Sequence, residues 1–165
     1  MNHYKIKIFK NAVDYYNKGN YEKSLENYIE YLKIDSNNII VNCNIGVIYI
    51  KNKDYKKAFI FLNKCLSIDK NYINSYINIG YCYNEIKQYN KSLEYSEKGL
   101  KILSKYIGIN NENFKIYKNN LKKIYNNIGI SHKKLKNYIN GIIYFDKCIE
   151  LDNFYIEAYN NKSTC

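Results

Sequence analysis

The chain has 165 residues, enough for one domain that buries about 70% of the surface its unfolded form exposes. Its composition, 46% hydrophobic and 25% charged, is ordinary for a globular protein. The sequence contains no Pro, so the strongest helix breaker is missing. No apolar run approaches the roughly 20 residues of a membrane span. We therefore expect residues 1–165 to form one domain with no segment that crosses a membrane.

The formal net charge is +11, and every basic residue is Lys. Asn, Ile and Tyr are over-used as well, which indicates a bias toward A- and T-rich codons with lysines spread over solvated surfaces. A salt-sensitive attraction to nucleic acid or to acidic surfaces remains an alternative function. Nucleic acid is the less favoured partner, because sequence-specific readers depend on Arg and on aromatic stacking.

The five cysteines are odd in number and form no C-x-x-C pair. The first ten residues lack the apolar stretch of a secretory signal. We therefore predict a cytoplasmic protein whose thiols are reduced core residues, with no metal site and no cofactor. The cysteines are Cys43, Cys65, Cys82, Cys148 and Cys165.

An internal repeat organises the whole chain. Residues 19–25 resemble residues 53–59 and residues 87–93, at intervals of 34 residues. A fourth copy lies at residues 136–142. A fixed period of this length is typical of stacked repeat proteins and is the strongest signal in the sequence.

Each repeat has the apolar spacing of two helices. Leu25, Tyr28, Ile29 and Leu32 lie at i, i+3, i+4 and i+7, which places them on one helix face. Polar turns such as residues 17–20 separate the two halves of a repeat. The spacing therefore predicts a helix–turn–helix unit.

Glycine recurs at one place in the first helix of three repeats, as Gly46, Gly80 and Gly129. Glycine inside a helix costs about 1 kcal/mol relative to Ala. A close approach of a second helix would offset that cost, since helices pack at ~8–10 Å only where side chains are short. We expect such a contact at each of these glycines.

These features resemble the tetratricopeptide repeat. That family places a large residue, a small residue and a Tyr in the first helix, here Ile45, Gly46 and Tyr49. Its second helix begins near a Tyr and continues with small, large and small residues, and the second repeat has Tyr55, Ala58, Leu62 and Cys65 at these places. The resemblance implies an all-α, right-handed α-solenoid. Its repeats would be residues 5–38, 39–72, 73–106 and 122–155.

The first repeat departs from the family pattern at two positions. Asn11 occupies a place where Leu is usual, and Tyr31 is large where a small residue is expected. We interpret the first repeat as a modified cap.

Residues 107–121 interrupt the period between the third and fourth repeats. Helical spacing resumes at Phe114, so we expect the first helix of the fourth repeat to start early, with Asn110 or Asn111 as N-cap, and to end near Lys136. Either this is a longer helix pair with ordinary packing, or it forms a lip beside a groove. Residues 156–165 match the start of a fifth first helix, which is either a cap or the edge of a longer array.

The resemblance also implies a concave groove lined by the first helices, whose side chains would contact a partner. The first half of this wall is apolar and aromatic, and the second half is rich in Asn and Lys. Asn44, Asn78 and Asn127 recur at one place and could pair with a peptide backbone. The predicted groove residues are Phe9, Val13, Tyr16, Cys43, Asn44, Val47, Ile50, Ile77, Asn78, Tyr81, Asn84, Lys123, Asn127 and Ile130.

We therefore predict a non-catalytic protein-interaction scaffold that binds a peptide or a helix. The alternatives are an electrostatic binder, as above, and a targeting module of a larger enzyme.

Some family members hold acidic chaperone tails with a Lys/Asn carboxylate clamp, but Phe9 and Val13 occupy its leading places here, so no such clamp is expected. His132 stands where a packing Tyr is usual, and we interpret it as a half-buried core residue rather than a catalytic base.

Overall fold

The computed structural model describes residues 2–105 and 114–165. Within these ranges the protein consists of nine α-helices and no strands. The helices are α1 (Asn2–Asn17), α2 (Tyr21–Ile34), α3 (Ile39–Lys51), α4 (Tyr55–Ile68), α5 (Ile73–Glu85), α6 (Tyr89–Ser104), α7 (Phe114–Lys134), α8 (Tyr138–Leu151) and α9 (Ile156–Ser163).

The helices belong to two compact units. The first unit, Met1–Lys70, contains α1–α4, and the second, Asn71–Cys165, contains α5–α9. In the first unit α1 packs on α2, α2 on α3, and α3 on α4. In the second unit α7 packs on α5, α6 and α8, and α9 packs on α8. None of the helices in the described ranges is long and apolar enough to cross a membrane.

The turn inside each helix pair has a left-handed residue. Gly19 has a φ of 75°, and Lys53, Lys87 and Lys136 have φ values of 58°, 61° and 63° at the same place in the later pairs. The amide of this residue donates three residues back, as from Gly19 to the Tyr16 carbonyl at 3.0 Å. The next amide donates five residues back, which completes a Schellman motif in all four turns.

The second helices begin at two kinds of cap. Asn20 and Asp54 each accept a hydrogen bond from the amide three residues on, at 3.1 Å. These bonds satisfy one of the free amides at the start of a helix. Gln88 and Asn137 hold the same place before α6 and α8 but make no side-chain cap bond.

The core of the first unit is apolar and aromatic. Tyr28, Val41 and Ile45 are among its buried members, and Leu25 and Tyr49 pack on its edge. The residues come from α1, α2 and α3, so three consecutive helices share one core. Burial of each large apolar side chain contributes roughly 1.5–3 kcal/mol.

The second unit has two apolar clusters. Ile124 and Ile128 of α7 pack with Ile77 of α5 in one cluster. Phe145 of α8 and Ala158 of α9 are buried in the other. Helix α7 and its neighbours α5 and α8 therefore form the centre of this unit.

The close contacts expected at the recurring glycines are confirmed. A Cβ atom on Gly46 would lie 2.9 Å from Leu62, and one on Gly129 would lie 2.6 Å from the ring of Phe145. Real Cβ atoms do not approach other atoms so closely, so a side chain at either position would push the second helix away.

Helix α7, the first helix of the fourth repeat, spans Phe114–Lys134 and has 21 residues, so it begins before residue 122. The predicted N-cap, Asn110 or Asn111, lies outside the described residues, as does the first part of the inserted segment 107–121. The chain is helical again at Ile156–Ser163, where the sequence matches the start of a fifth first helix.

Candidate partner-binding surface

In the first unit, the predicted groove residues of α1 rest against the core. Phe9, Val13 and Tyr16 are half-buried and pack on the apolar cluster of this unit. The ring of Phe9 meets the rings of Tyr28 and Tyr31 edge-on, with centroids 6.0 and 5.9 Å apart. These side chains therefore support the fold and offer only part of their surface to a partner.

Tyr31, which is larger than the family pattern predicts, has a charged side chain over its ring. The Lys5 ammonium lies 5.1 Å from the centre of the Tyr31 ring and 2.7 Å from Asp35. Lys122 and Asp152 form the matching ion pair in the second unit, at 2.5 Å. Sequence reasoning missed both pairs, although a Lys at the first place of repeats one and four, followed 30 residues later by Asp, was a visible signal.

The Asn44 side chain makes a hydrogen bond within the first unit. Its side-chain amide donates to the Tyr28 hydroxyl at 2.9 Å. Burial raises the pKa of Tyr28, and the Asn44 hydrogen bond opposes that rise. Asn44 is half-buried, so part of the residue keeps access to solvent.

The remaining predicted residues of α3 differ in exposure. Val47 and Ile50 are half-buried, whereas Cys43 is buried. Neither Val47 nor Ile50 is among the residues that pack on the apolar cluster of the first unit. Among the predicted groove residues of α3, these two are the apolar side chains that keep surface for a partner.

In the second unit, the predicted groove asparagines form a buried hydrogen-bond network. The Asn127 side-chain amide donates to the Ile77 carbonyl at 2.9 Å, which ties α7 to α5. The Asn84 side-chain amide donates to the Asn127 carbonyl at 3.0 Å. The Ser131 hydroxyl lies 2.7 Å from the Asn84 side-chain oxygen and 2.9 Å from the Asn127 carbonyl.

Burial changes the interpretation of four predicted positions. Ile77, Asn84 and Asn127 are buried inside the protein, as is Cys43 in the first unit. The side-chain amides of Asn84 and Asn127 bond within the chain, since an unpaired buried amide would be costly. The four side chains therefore have no surface for a partner in this conformation. No ladder of three equivalent asparagines faces solvent.

The other predicted residues of the second unit retain surface. Tyr81 is 39% exposed, and burial of the rest of its side chain raises its pKa. Lys123 is exposed, and Asn78 is half-buried with an interaction partner of its own. Ile130 is half-buried and packs on the Phe145 cluster.

Three side chains that could carry chemistry lie in partly or fully buried surroundings. His132 is half-buried and stacks on Tyr144 with centroids 5.8 Å apart, and burial lowers its pKa. Burial raises the pKa of both Cys82 and Cys148 to about 12. Across the described residues, no group of three or more His, Cys, Asp or Glu is placed to hold a metal ion.

Solved structures share this fold at low sequence identity. MamA from Desulfovibrio magneticus RS-1 matches 96% of this chain and 81% of its own, with 19% identity and a TM-score of 0.74. PilF of Pseudomonas aeruginosa matches over 98% and 67%, with 16% identity and a TM-score of 0.79. The type IV pilus biogenesis factor PilW matches over 96% and 69%, with 17% identity and a TM-score of 0.78. These likenesses confirm the predicted α-solenoid fold class.

The sequence itself also matches repeat models. No curated protein matches the chain. A model described as "TPR repeat" matches residues 14–53, and one described as "Tetratricopeptide repeat" matches residues 40–72, 73–105 and 122–155. Together these matches cover most of the chain, and its helix pairs have the close contacts that the repeat requires. The chain therefore belongs to the tetratricopeptide repeat family.

Proposed function

We propose that the protein is an interaction scaffold that binds a peptide or an amphipathic helix of another protein through its first helices. The observation that carries the proposal is the surface left over after packing. Val47 and Ile50 of α3 are only half-buried, and Tyr81 of α5 is 39% exposed. When a partner covers a partly solvent-exposed apolar side chain, the removal of that surface from water favours binding.

Each unit carries a proposed surface of its own. In the first unit Val47 and Ile50 suit the apolar face of a helix or an extended apolar segment. In the second unit Tyr81 adds an amphipathic ring, and the exposed Lys123 suits an acidic side chain or a terminal carboxylate. We therefore expect an apolar partner segment at the first unit, and a segment with an aromatic or apolar residue beside an acidic group at the second.

We further propose that this role involves no catalysis, no cofactor and no chaperone-tail clamp. Phe9 and Val13, at the leading places of that clamp, are apolar and cannot bind a carboxylate. The five cysteines are free, and four of them are buried, which is consistent with the proposed cytoplasmic location.

A paired substitution tests the proposed surface. We expect Val47→Glu combined with Tyr81→Glu to abolish affinity capture of the partner from a native extract, because each change places charge on the proposed surface of its own unit. Helical circular dichroism should remain that of the wild type, since neither side chain is fully buried.

The matched control is Ile60→Glu, which changes an exposed Ile on a second helix of the first unit. Capture should survive this change, because Ile60 is not on a first helix. If the Val47 and Tyr81 variant captures the same proteins in the same amounts as the wild type, the proposed surface is wrong.

A further inference from the structure

Charge is unevenly distributed along the chain. Residues 114–145 contain no Asp or Glu, yet they contribute seven of the eleven units of net positive charge. This segment covers α7 and the first half of α8. Its lysines are Lys115, Lys118, Lys122, Lys123, Lys133, Lys134 and Lys136.

The start of α8 presents large apolar side chains to solvent within this basic segment. Ile139 is 75% exposed and Ile143 is 45% exposed, and their i, i+4 spacing places them on one face of α8. Tyr138, the first residue of α8, is 44% exposed, and Leu135, in the turn before α8, is 40% exposed. We call these four residues the α8 ridge.

The same face is polar in the other second helices. The two places held by Ile139 and Ile143 are exposed in every helix pair, so the face is turned to solvent throughout. Five of the six matching residues are charged or polar, and only one is apolar. The six are Glu22, Glu26, Lys56, Ile60, Asn90 and Glu94. The α8 ridge is therefore the exception to a solvated pattern.

Within the described ranges, the lysines nearest the α8 ridge form no ion pair. Lys134 and Lys136 are exposed in the last turn of α7 and in the following turn. Asp146, the first acidic residue after the ridge, forms an ion pair with Lys162 at 2.5 Å. The α8 ridge and its neighbours therefore combine exposed lysine ammonium groups with exposed aliphatic and Tyr side chains.

We propose that the α8 ridge binds the surface of an anionic lipid bilayer. Aliphatic side chains can enter the boundary between headgroups and acyl chains, while Tyr prefers the headgroup level. Lysines near a negatively charged leaflet each strengthen binding about fivefold. The bilayer needs no shaped pocket, which suits a ridge of protruding side chains.

Other occupants fit the α8 ridge less well. Nucleic acid gains nothing from exposed Ile side chains, because it is bound through charge, stacking and base-edge contacts. A second copy paired by a two-fold axis would bring Lys134 and Lys136 of both copies together, and these like charges would repel.

Vesicle sedimentation tests this proposal with the whole chain. We expect binding to vesicles of phosphatidylcholine and phosphatidylserine at a 7:3 ratio, and none to vesicles of phosphatidylcholine alone. Binding should weaken between 0.1 and 0.5 M salt, because exposed charges are screened.

Two variants separate the apolar and electrostatic parts of the interaction. Ile139→Asn with Ile143→Gln keeps the net charge and should weaken vesicle binding about tenfold or more, since two aliphatic side chains no longer enter the boundary. Lys134→Gln with Lys136→Asn should weaken it about 25-fold at low salt, at about fivefold per lysine. Ile60→Gln is the control and should bind as the wild type does, because Ile60 lies outside the α8 ridge.

Each result decides the proposal. No vesicle binding, equal binding to both vesicle types, or loss of binding with the lysine variant but not the isoleucine variant would overturn it. Two further outcomes would overturn it if vesicle binding stayed intact. One is that the isoleucine substitutions dissociate a dimer of this chain in sedimentation velocity. The other is that they abolish capture of an acidic protein from a native extract. Normal vesicle binding by the Val47→Glu, Tyr81→Glu protein would separate this surface from the proposed scaffold function.

Discussion

The two units follow the same repeat, but they fill one recurring place differently. Tyr28 and Leu62 hold the large-residue place of the second helix in the first unit, and both are buried. In the second unit Phe145 holds that place in α8, whereas Ser96 holds it in α6. The pair α5–α6 therefore lacks the large apolar side chain that the other pairs bury.

The space beside Ser96 is occupied by the next first helix. A Cβ on Gly80 would lie 2.6 Å from the Ser96 hydroxyl and 3.2 Å from the Asn127 side-chain nitrogen, so both side chains reach the same point. The comparison shows two ways to close a repeat: with an apolar side chain from its own second helix, or with a hydrogen-bonding side chain from the following repeat.

The polar solution leaves hydroxyl groups without partners. Ser75, Ser92 and Ser96 of α5 and α6 are buried, and their hydroxyls make no hydrogen bond among the described residues. Ser24 holds the place of Ser92 in the first unit and donates to the Ala12 carbonyl at 2.7 Å. Because an unpaired buried polar group costs about 1–3 kcal/mol, we expect α5–α6 to be the less stable pair.

The largest effect is expected where the apolar solution is removed. Phe145→Ala should lower the free energy of unfolding by about 3–5 kcal/mol, because it leaves a cavity against Gly129. Ser96→Ala at the same place should change stability little, or raise it by up to about 1 kcal/mol, because the Ser96 hydroxyl has no partner. Urea unfolding followed by circular dichroism measures both. Equal losses would contradict the comparison.

A smaller loss is expected from the polar solution. Asn127→Ala should cost about 1–3 kcal/mol, since it removes the buried hydrogen bond to the Ile77 carbonyl. Asn44→Ala in the first unit should cost only about 0.5–1 kcal/mol, because water can replace the half-buried amide at the Tyr28 hydroxyl.

Hydrogen exchange separates local from global effects of these two substitutions. Asn127→Ala should speed exchange in peptides of α5 and α7, which the lost bond joins, more than in α1–α4. Uniform acceleration over both units would show that the Asn127 network does not act locally.

The sequence was sufficient to predict the helix pairs and the close contacts, because the 34-residue period and the glycines are visible without coordinates. It did not reveal that Asn127 and Asn84 turn inward. The family pattern assigns their places to the groove, and that assignment assumes a large residue at the place of Ser96. Ser96 is much smaller than the residues at the same place in the other second helices. That difference in volume would have suggested that a neighbouring side chain fills the space. Exposure of the α8 ridge could be read from Ile139 and Ile143, which interrupt an otherwise polar face.

The turns provide the next comparison, between the first helix pair and the later pairs. Gly19 adopts its positive φ at no steric cost, whereas Lys87 adopts a φ of 61° with a side chain. Lys87→Gly should therefore raise the free energy of unfolding by up to about 1 kcal/mol, and Gly19→Ala should lower it by about 1 kcal/mol. Thermal unfolding at neutral pH would show both shifts. A loss of stability in Lys87→Gly would mean that chain entropy outweighs the relief of strain.

The smallest effect concerns the ion pair that each unit places at the same site. Hydrogen bonds from Lys5 and then Asn38 lower the pKa of Asp35 below its ordinary 3.8, and hydrogen bonds from Lys122 and the Phe154 amide lower that of Asp152. A carboxyl with a lowered pKa in the folded state stabilises the protein above pH 3.8, and this stability is lost as pH falls through the folded value.

We therefore expect the melting temperature to fall between pH 5 and pH 2.5, with a shallower fall in Asp35→Asn and in Asp152→Asn. Both pairs are partly exposed, so 1 M NaCl should shrink the difference between each variant and the wild type. The side chain of Lys122 is 18% accessible and that of Lys5 is 30% accessible, whereas Asp152 and Asp35 are 36% and 31% accessible. We expect the more buried lysine to decide the screening, so that the Lys122 pair is screened less. The Asp152→Asn difference should accordingly persist further into the salt series, and the reverse order would show that burial of the lysine does not control the strength of this pair.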